Sequence, residues 1–197
     1  MKKVVITIGR EFGSGGREIG IKLSEKLNIP FFDKELILHT AEKTNLEKSI
    51  VEKYDEQHSF PAFSSSNIFD IYQMPMSDRI YIAQADVIRD IAEKGSCIIV
   101  GRCADFILDN NPDVFKVFIT APMKDKIERK RPILEGKSDS EIQNHISRID
   151  KKRAKYYTYY TDRTWGKATT YNMCIDSSVL GIDGTVELIA NAVYMRK

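Results

Sequence analysis

The chain has 197 residues, of which 42% are hydrophobic and 29% charged, an ordinary balance for one well-buried domain. Its net charge of +2 is too small to indicate a nucleic acid or an acidic membrane as partner, and no apolar run approaches the roughly 18 residues of a spanning helix. The cysteines, Cys97, Cys103 and Cys174, form no C-x-x-C pair, which indicates reduced thiols buried in a cytoplasmic protein.

The first thirty residues predict a β-α-β unit. Residues 4–8 form an apolar run that is typical of a strand covered on both faces. From Gly16 the apolar residues recur every four positions, which predicts a helix that ends before Pro30. Residues 29–33 predict a second short strand, so the order favours a right-handed crossover.

The same alternation continues to the end of the chain. A helix is predicted over 78–94, with Ile82, Val87, Ile88 and Ile91 available to face the core. Residues 60–77, which contain two prolines and a serine triplet, predict an excursion from the sheet. Further strands are predicted over 97–101, 114–120 and 171–175, and further helices from Pro122, over 141–157 and over 185–194. This alternation indicates a single three-layer α/β domain over 1–197.

The most informative segment is the glycine-rich turn between the first strand and the first helix, residues 9–18, GREFGSGGRE. Its glycines allow successive backbone N–H groups to face one anion, and the helix N-terminus adds partial positive charge, which favours a nucleotide phosphate. A phosphate-binding loop of the form G-x-x-x-x-G-K-[ST] has lysine where this chain has Gly16. Two alternatives stay open: a dinucleotide fingerprint, with Asp33 as its acid but Glu18 in place of its third glycine, and a purely structural turn.

Cations elsewhere favour phosphoryl transfer, because its transition state spreads charge over phosphoryl oxygens. Arg102 follows a predicted strand at its carboxyl end, where ligands of open α/β sheets gather. A helix carries Arg148, Lys151, Lys152 and Lys155 on one face, a pattern typical of a solvated surface or of a flap over phosphates. The following tyrosines and Trp165 could stack bases or pack that flap onto the body.

These segments together resemble the cytidylate kinase-like branch of the nucleoside monophosphate kinases. The resemblance covers nearly the whole chain and rests on residues 6–18, 30–35, 99–102 and 148–155. It implies a P-loop NTPase fold with a five-stranded parallel sheet, an acceptor-binding arm within about 34–95 and a lid within about 130–165. It also implies small nucleotides as partners, with ATP and its Mg²⁺ as donor and CMP or dCMP as acceptor. The oligomeric state stays open.

The resemblance also assigns roles to residues. It implies that Asp33 lies beside the acceptor nucleoside, that Arg102 and Arg129 bind the acceptor phosphate, and that Arg148 and Arg153 lie in the lid over the moving phosphoryl group. Arg17, Arg148 and Arg153 are the predicted catalytic cations. The loop residues predicted to bind ATP are Arg10, Phe12, Gly13, Ser14, Gly15, Gly16, Arg17 and Glu18.

The loop departs from the pattern of authentic cytidylate kinases at three positions. Those kinases have lysine aligned with Gly16, glycine aligned with Arg10 and threonine aligned with Glu18. We expect Arg10 or Arg17 to replace the lysine, and Glu11 and Glu18 would repel phosphate unless they pair with those arginines. No Cys/His cluster has metal-ligand spacing, so Mg²⁺ is expected to arrive with the nucleotide. The alternatives are a nucleotide-binding protein without kinase activity and, less favoured, a reductase that binds NAD(P).

Overall fold

The computed structural model describes residues 2–33 and 75–196. Its strands are β1 Val5–Arg10, β2 Phe31–Phe32, β3 Cys97–Val100, β4 Val114–Thr120 and β5 Met173–Asp176. Its helices are α1 Gly16–Leu27, α2 Met76–Lys94, α3 Ala104–Ile107, α4 Met123–Lys130, α5 Asp139–Thr161 and α6 Ser177–Tyr194, with a 3₁₀ turn at Ala168–Thr170. None of the helices within these residues is long and apolar enough to cross a membrane.

The five strands form one parallel sheet in the order β2-β3-β1-β4-β5. This confirms the predicted α/β fold with its five-stranded parallel sheet. β1 lies at the centre, where Ile8 pairs with Val100 of β3 and Arg10 pairs with Ile119 of β4. After β1 the chain forms β2 and β3 on one side of β1, and then β4 and β5 on its other side, so the strand order changes direction at β1. The crevice outside the carboxyl ends of β1, β3 and β4 is therefore the expected ligand site.

Apolar side chains cover both faces of the sheet. On one face Ile6, Ile8 and Ile98 pack with α1 and α6. On the other face Val5 and Ile99 pack with α2 and α3. The central strands are consequently fixed from both sides, which holds their carboxyl ends as a firm base for the site.

Some predictions about single positions are wrong. Ile82 is 45% exposed, because the buried face of α2 runs through its neighbours Ala83 and Val87 instead. Cys174 is exposed on β5, whereas Cys97 and Cys103 are buried as expected. The predicted excursion over 60–77 lies almost entirely outside the described residues.

The closing helix begins earlier than predicted, at Ser177 instead of Thr185. The Asp176 carboxylate accepts a hydrogen bond from the Ser178 amide at 2.9 Å and so caps the helix start. Gly181 interrupts the helix with φ of 65°, and a glycine tolerates this left-handed angle without strain.

Asp109 provides a test of acid stability outside the crevice. Its carboxylate is bound by Arg163 at 2.8 Å and by Lys116, and these contacts lower its pKa to about 2. A depressed carboxyl pKa adds stability above the unfolded value near 4, and this stability is lost as the pH falls towards 2. Because the side chain is 35% exposed, we expect Asp109→Asn to cost less than about 1 kcal/mol at pH 7. Urea unfolding at pH 7 and pH 2.5 should show the difference shrinking at the lower pH. An equal difference at both pH values would contradict this origin.

Candidate active site

A cavity of about 280 Å³ opens at the carboxyl ends of β1 and β3, beside α5. Among residues 2–33 and 75–196, its lining combines cationic side chains, aromatic side chains and one carboxylate. Residues from four separate parts of the chain meet here, so the site depends on the complete fold. The cations are Arg10, Arg102, Arg148, Lys152 and Arg153; the other side chains include Asp105, His145, Tyr156, Tyr157, Trp165 and Tyr171.

The glycine-rich loop between β1 and α1 has the backbone that an anion cradle requires. Gly13 and Gly15 have φ of 85° and 81°, in the left-handed region that glycine adopts most readily. Gly15 caps α1 without any side-chain hydrogen bond, so the positive end of the helix faces the loop. A Cβ at Gly15 would collide with Ile182. The loop is thus both tight and rich in backbone donors.

Ser14 stabilises this loop instead of facing the cavity. Its hydroxyl donates to the Glu11 carbonyl at 2.9 Å, and the Ser177 hydroxyl donates to the Ser14 carbonyl at 2.6 Å. Its side chain is fully buried. Of the loop residues predicted to bind ATP, Arg10 alone lines the cavity. The cavity therefore adjoins the loop on the side of Arg10.

Arg10 occupies the space that the missing side chain of Gly16 leaves free. A Cβ added at Gly16 would lie 2.5 Å from Cβ and 3.0 Å from Cγ of Arg10. Further along, a Cβ at Gly101 would collide with the Arg10 guanidinium. The Arg10 side chain therefore passes over two glycines, from the end of β1 to the end of β3. A larger residue in place of either glycine would displace the Arg10 side chain.

Arg17 is directed elsewhere. Its Nε donates to the Asp33 carboxylate at 2.9 Å, and its guanidinium lies 5.8 Å from the Phe31 ring centre. The ion pair engages Asp33, which the resemblance had placed beside the acceptor nucleoside. Of the two arginines expected to replace the lysine, Arg10 is therefore the one that the structure places at the cavity.

The loop acids pair with lysines and not with Arg10 and Arg17. The Glu11 carboxylate lies 2.6 Å from Nζ of Lys126 and accepts from the Thr120 hydroxyl at 2.5 Å. Lys126 belongs to α4 and its side chain is only 6% exposed. Glu18 lies 3.9 Å from Lys22 on the outside of α1. A bound phosphate would consequently meet less negative charge than the sequence indicates.

Helix α5 is attached to the loop by polar contacts. The Phe12 amide donates to the Asp150 carboxylate at 2.7 Å, and Asp150 also lies 3.7 Å from Lys126. Burial raises the pKa of Asp150. Arg153 donates to the Arg10 carbonyl at 3.2 Å and lies 5.6 Å from the Phe12 ring centre. The predicted basic lid is thus a helix docked on the loop.

Further basic side chains lie near the contact between α5 and the glycine-rich loop. Lys130 lies 4.7 Å from the Phe12 ring centre, and burial together with nearby Arg153 and Arg129 lowers its pKa. Arg148 contacts His145 at 3.2 Å, and burial together with Lys137 and Arg148 lowers the histidine pKa. Burial is the main cause of both lowered pKa values, and neighbouring cations add to it, so several positive charges lie close together here.

Arg129 is placed differently from the prediction. Its Nη1 donates to the Gly13 carbonyl at 2.6 Å, so it lies against the loop and not among the residues that line the cavity with Arg102. The fold of α4 explains this, since Lys126 one turn earlier is anchored by Glu11. Asp105 and Tyr171 in the cavity, and Lys126 beside the loop, are residues that sequence reasoning missed. No motif marks them, because they become neighbours only when α4, α5 and the sheet pack together.

Arg102 lies on an unusual turn after β3. Gly101, Arg102 and Cys103 have successive φ values of 78°, 60° and 56°. Non-glycine residues adopt such angles at a cost, and strained turns of this kind cluster at functional sites. Burial lowers the pKa of Arg102, although a guanidinium keeps its charge in proteins. The turn directs Arg102 into the cavity, as its place after a parallel strand predicts.

The sheet order, the glycine-rich loop and the neighbouring cations define a kinase-like protein with the P-loop kinase fold. Residues 5–179 match the sequence model of the cytidylate kinase-like family, and the chain belongs to that family. No curated protein matches it.

Solved structures agree on the fold. An uncharacterized protein from Eubacterium ventriosum is 31% identical with a TM-score of 0.76, over 98% of this chain and 100% of that one. A shikimate kinase from Bacteroides thetaiotaomicron is 19% identical with a TM-score of 0.57, over 98% and 99%. A gluconokinase from Sinorhizobium meliloti is 12% identical with a TM-score of 0.54, over 98% and 96%. The last two similarities support the P-loop kinase fold alone.

Proposed function

We propose that this protein transfers a phosphoryl group from ATP to a pyrimidine nucleoside monophosphate, CMP or dCMP. The observation that carries the proposal is the convergence of Arg10, Arg102, Arg148 and Arg153 on one cavity beside the phosphate-loop backbone. Phosphoryl transfer between two anions needs positioned cations more than it needs acid or base groups. Membership of the cytidylate kinase-like family supports the cytidine acceptor.

The chain's own residues divide between donor and acceptor. The loop amides at Gly13 to Gly16, with Arg129 beside them, are suited to hold the donor phosphates. Arg102 is suited to bind the acceptor phosphate through two hydrogen bonds. Arg148 and Arg153 come from α5 and face the region between the two, so we assign them the charge that develops on the moving group. Arg17 and Asp33 form a pair at the end of β2 in this assignment.

Arg10 replaces the loop lysine in this proposal. Authentic cytidylate kinases have glycine at position 10 and lysine at position 16, whereas this chain has arginine and glycine. The contact between the Arg10 stem and Gly16 supports a connection between the two differences. In this proposal the cation comes from Arg10 at the end of β1. Position 16, at the start of α1, has no side chain and so leaves space for Arg10.

Mg²⁺ would come with the nucleotide. Among residues 2–33 and 75–196 no group of His, Cys, Asp or Glu could hold a metal by itself. Glu18 has the position of the threonine whose hydroxyl lies near Mg²⁺ in authentic cytidylate kinases, and carboxylate oxygens are ligands that Mg²⁺ accepts. When bound, the ion neutralises phosphate charge, and Glu18 would need to leave Lys22 to reach it.

A second candidate is a nucleotide-binding protein without transferase activity. It is favoured by the contact of Asp150 with the Phe12 amide, because a carboxylate there engages one of the loop donors that a phosphate oxygen could use. This candidate predicts that ATP raises the melting temperature without any acceptor-dependent formation of ADP.

ADP formation measured across a panel of nucleoside monophosphates distinguishes the two. We expect turnover with ATP-Mg²⁺ and CMP or dCMP, and an Arg102→Ala variant should lose about 100-fold or more in kcat/KM. Arg131→Ala is the matched control, because Arg131 is exposed and pairs with Asp139 away from the cavity. No turnover with any acceptor, together with stabilisation by ATP, would select the second candidate.

A further inference from the structure

Asp105 is an acid in a cavity that several cations and aromatic side chains also line. It lies in the first turn of α3, three residues after Arg102, and both residues line the same cavity. Its side chain is buried, with 7% of the residue exposed. None of the ion pairs formed within residues 2–33 and 75–196 includes Asp105. A carboxylate at this position repels phosphate, so a site that bound phosphate alone would gain from its removal.

A hydrogen bond from a tyrosine orients this carboxyl group. The Tyr157 hydroxyl donates to Oδ2 of Asp105 at 2.6 Å, and Tyr157 is itself only 4% exposed. A carboxylate can accept about four hydrogen bonds, so it has capacity for a ligand donor. Burial raises the pKa of Asp105 and that of Tyr157, as expected for groups that water scarcely reaches.

Flat aromatic side chains lie in the same cavity. Trp165 and Tyr171 line it, and both are braced by Phe118, with ring centres 5.3 Å and 5.1 Å away. Aromatic faces of this kind stack on any nucleobase, so they add affinity but discriminate little between bases. Choice of base requires a polar group that matches its edge.

We propose that Asp105 recognises the base of the acceptor by accepting a hydrogen bond from the exocyclic amino group of cytosine. A carboxylate is a natural acceptor for that amino group, and uracil presents a carbonyl oxygen at the same position. Tyr157 is the positioning residue that fixes the carboxyl orientation. The inference deepens the proposed function by naming what selects the acceptor, and it rests on the acceptor being a nucleoside monophosphate.

Calorimetric titration of CMP, UMP and inorganic pyrophosphate into the full chain tests the inference without requiring turnover. The unaltered protein should bind CMP about 10-fold more tightly than UMP. Asp105→Asn keeps an acceptor for Tyr157 but loses the charge, and should weaken CMP binding about 10-fold or more. Its pyrophosphate affinity should stay the same or increase, because a repulsive charge is removed. Asp109→Asn, an acid four residues on that bridges Arg163 and Lys116, is the matched control and should change none of the three affinities.

The other outcomes overturn the inference. Equal weakening of CMP and UMP would indicate a contact with the ribose, and equal weakening of all three ligands would indicate a structural role. An unaltered protein that binds CMP no better than UMP would also overturn it. If Asp105→Asn does not fold, Tyr157→Phe is used instead. This variant should lose the preference for CMP over UMP, and a retained preference would contradict the inference. A CMP preference that depends on Asp105 in a protein without turnover would uphold this inference while refuting the proposed kinase activity.

Discussion

The double variant Arg10→Gly/Gly16→Lys is expected to retain ADP formation within about 10-fold of the unaltered protein, whereas each single change loses about 100-fold or more. Arg10→Gly removes the cation from the loop. Gly16→Lys adds a side chain whose Cβ would lie 2.5 Å from Cβ of Arg10, so the two cannot both be accommodated. Together the changes introduce the glycine and the lysine that authentic cytidylate kinases have at these positions. Steady-state kcat with the preferred monophosphate measures the effect.

Arg17→Ala is the control for this exchange. Its guanidinium is 2.9 Å from Asp33 and its side chain is 53% exposed, so we expect less than about a 10-fold loss. A loss at Arg17 as large as that at Arg10 would contradict the assignment of Arg10 as the replacement cation. Full activity of Arg10→Gly would contradict it as well. If the unaltered protein shows no turnover, ATP affinity is measured in the same variants, with the same order expected.

Glu11→Gln is expected to lower the free energy of unfolding by about 3 kcal/mol. The change leaves Lys126, which is 6% exposed, without its closest carboxylate and with Asp150 only at 3.7 Å. For a chain of this size, that loss corresponds to a fall in melting temperature of roughly 6–12 °C. Thermal unfolding followed by circular dichroism measures it.

Two further variants separate charge from packing at Glu11. Adding Lys126→Met to Glu11→Gln should recover more than half of the lost stability, because no unpaired charge then remains. Glu18→Gln should cost less than about 0.5 kcal/mol, because Glu18 is 55% exposed and 3.9 Å from Lys22. A melting temperature unchanged by Glu11→Gln would show that the Glu11–Lys126 pair does not stabilise the fold.

The sequence was sufficient to predict the fold class and the edge of the sheet at which the candidate cavity opens. Periodicity is local, so β1, α1 and the loop between them could be read from neighbouring residues. Arg102 could be placed because it follows a parallel strand, and such strands end at one edge of the sheet. The start of α6 was missed although Asp176 followed by two serines is a recognisable cap signal.

The directions of charged side chains could not be predicted in the same way. The choice between Arg10 and Arg17 depends on Asp33, which the crossover brings beside Arg17 at the end of β2. The position of Arg129 depends on Lys126, whose burial between Glu11 and Asp150 involves three separate segments. Such contacts have no sequence period, because each is set by tertiary packing.

Helix α5 has a mechanical consequence for the whole domain. It is 23 residues long, which makes it a rod of about 35 Å. Near its middle Asp150 contacts the loop, and near its end the Tyr160 hydroxyl donates to Asp78 of α2 at 3.0 Å. A stiff rod transmits displacement along its length. The glycine-rich turn and α2 therefore contact the same rigid helix, so a shift of α5 at one of these contacts would move the other.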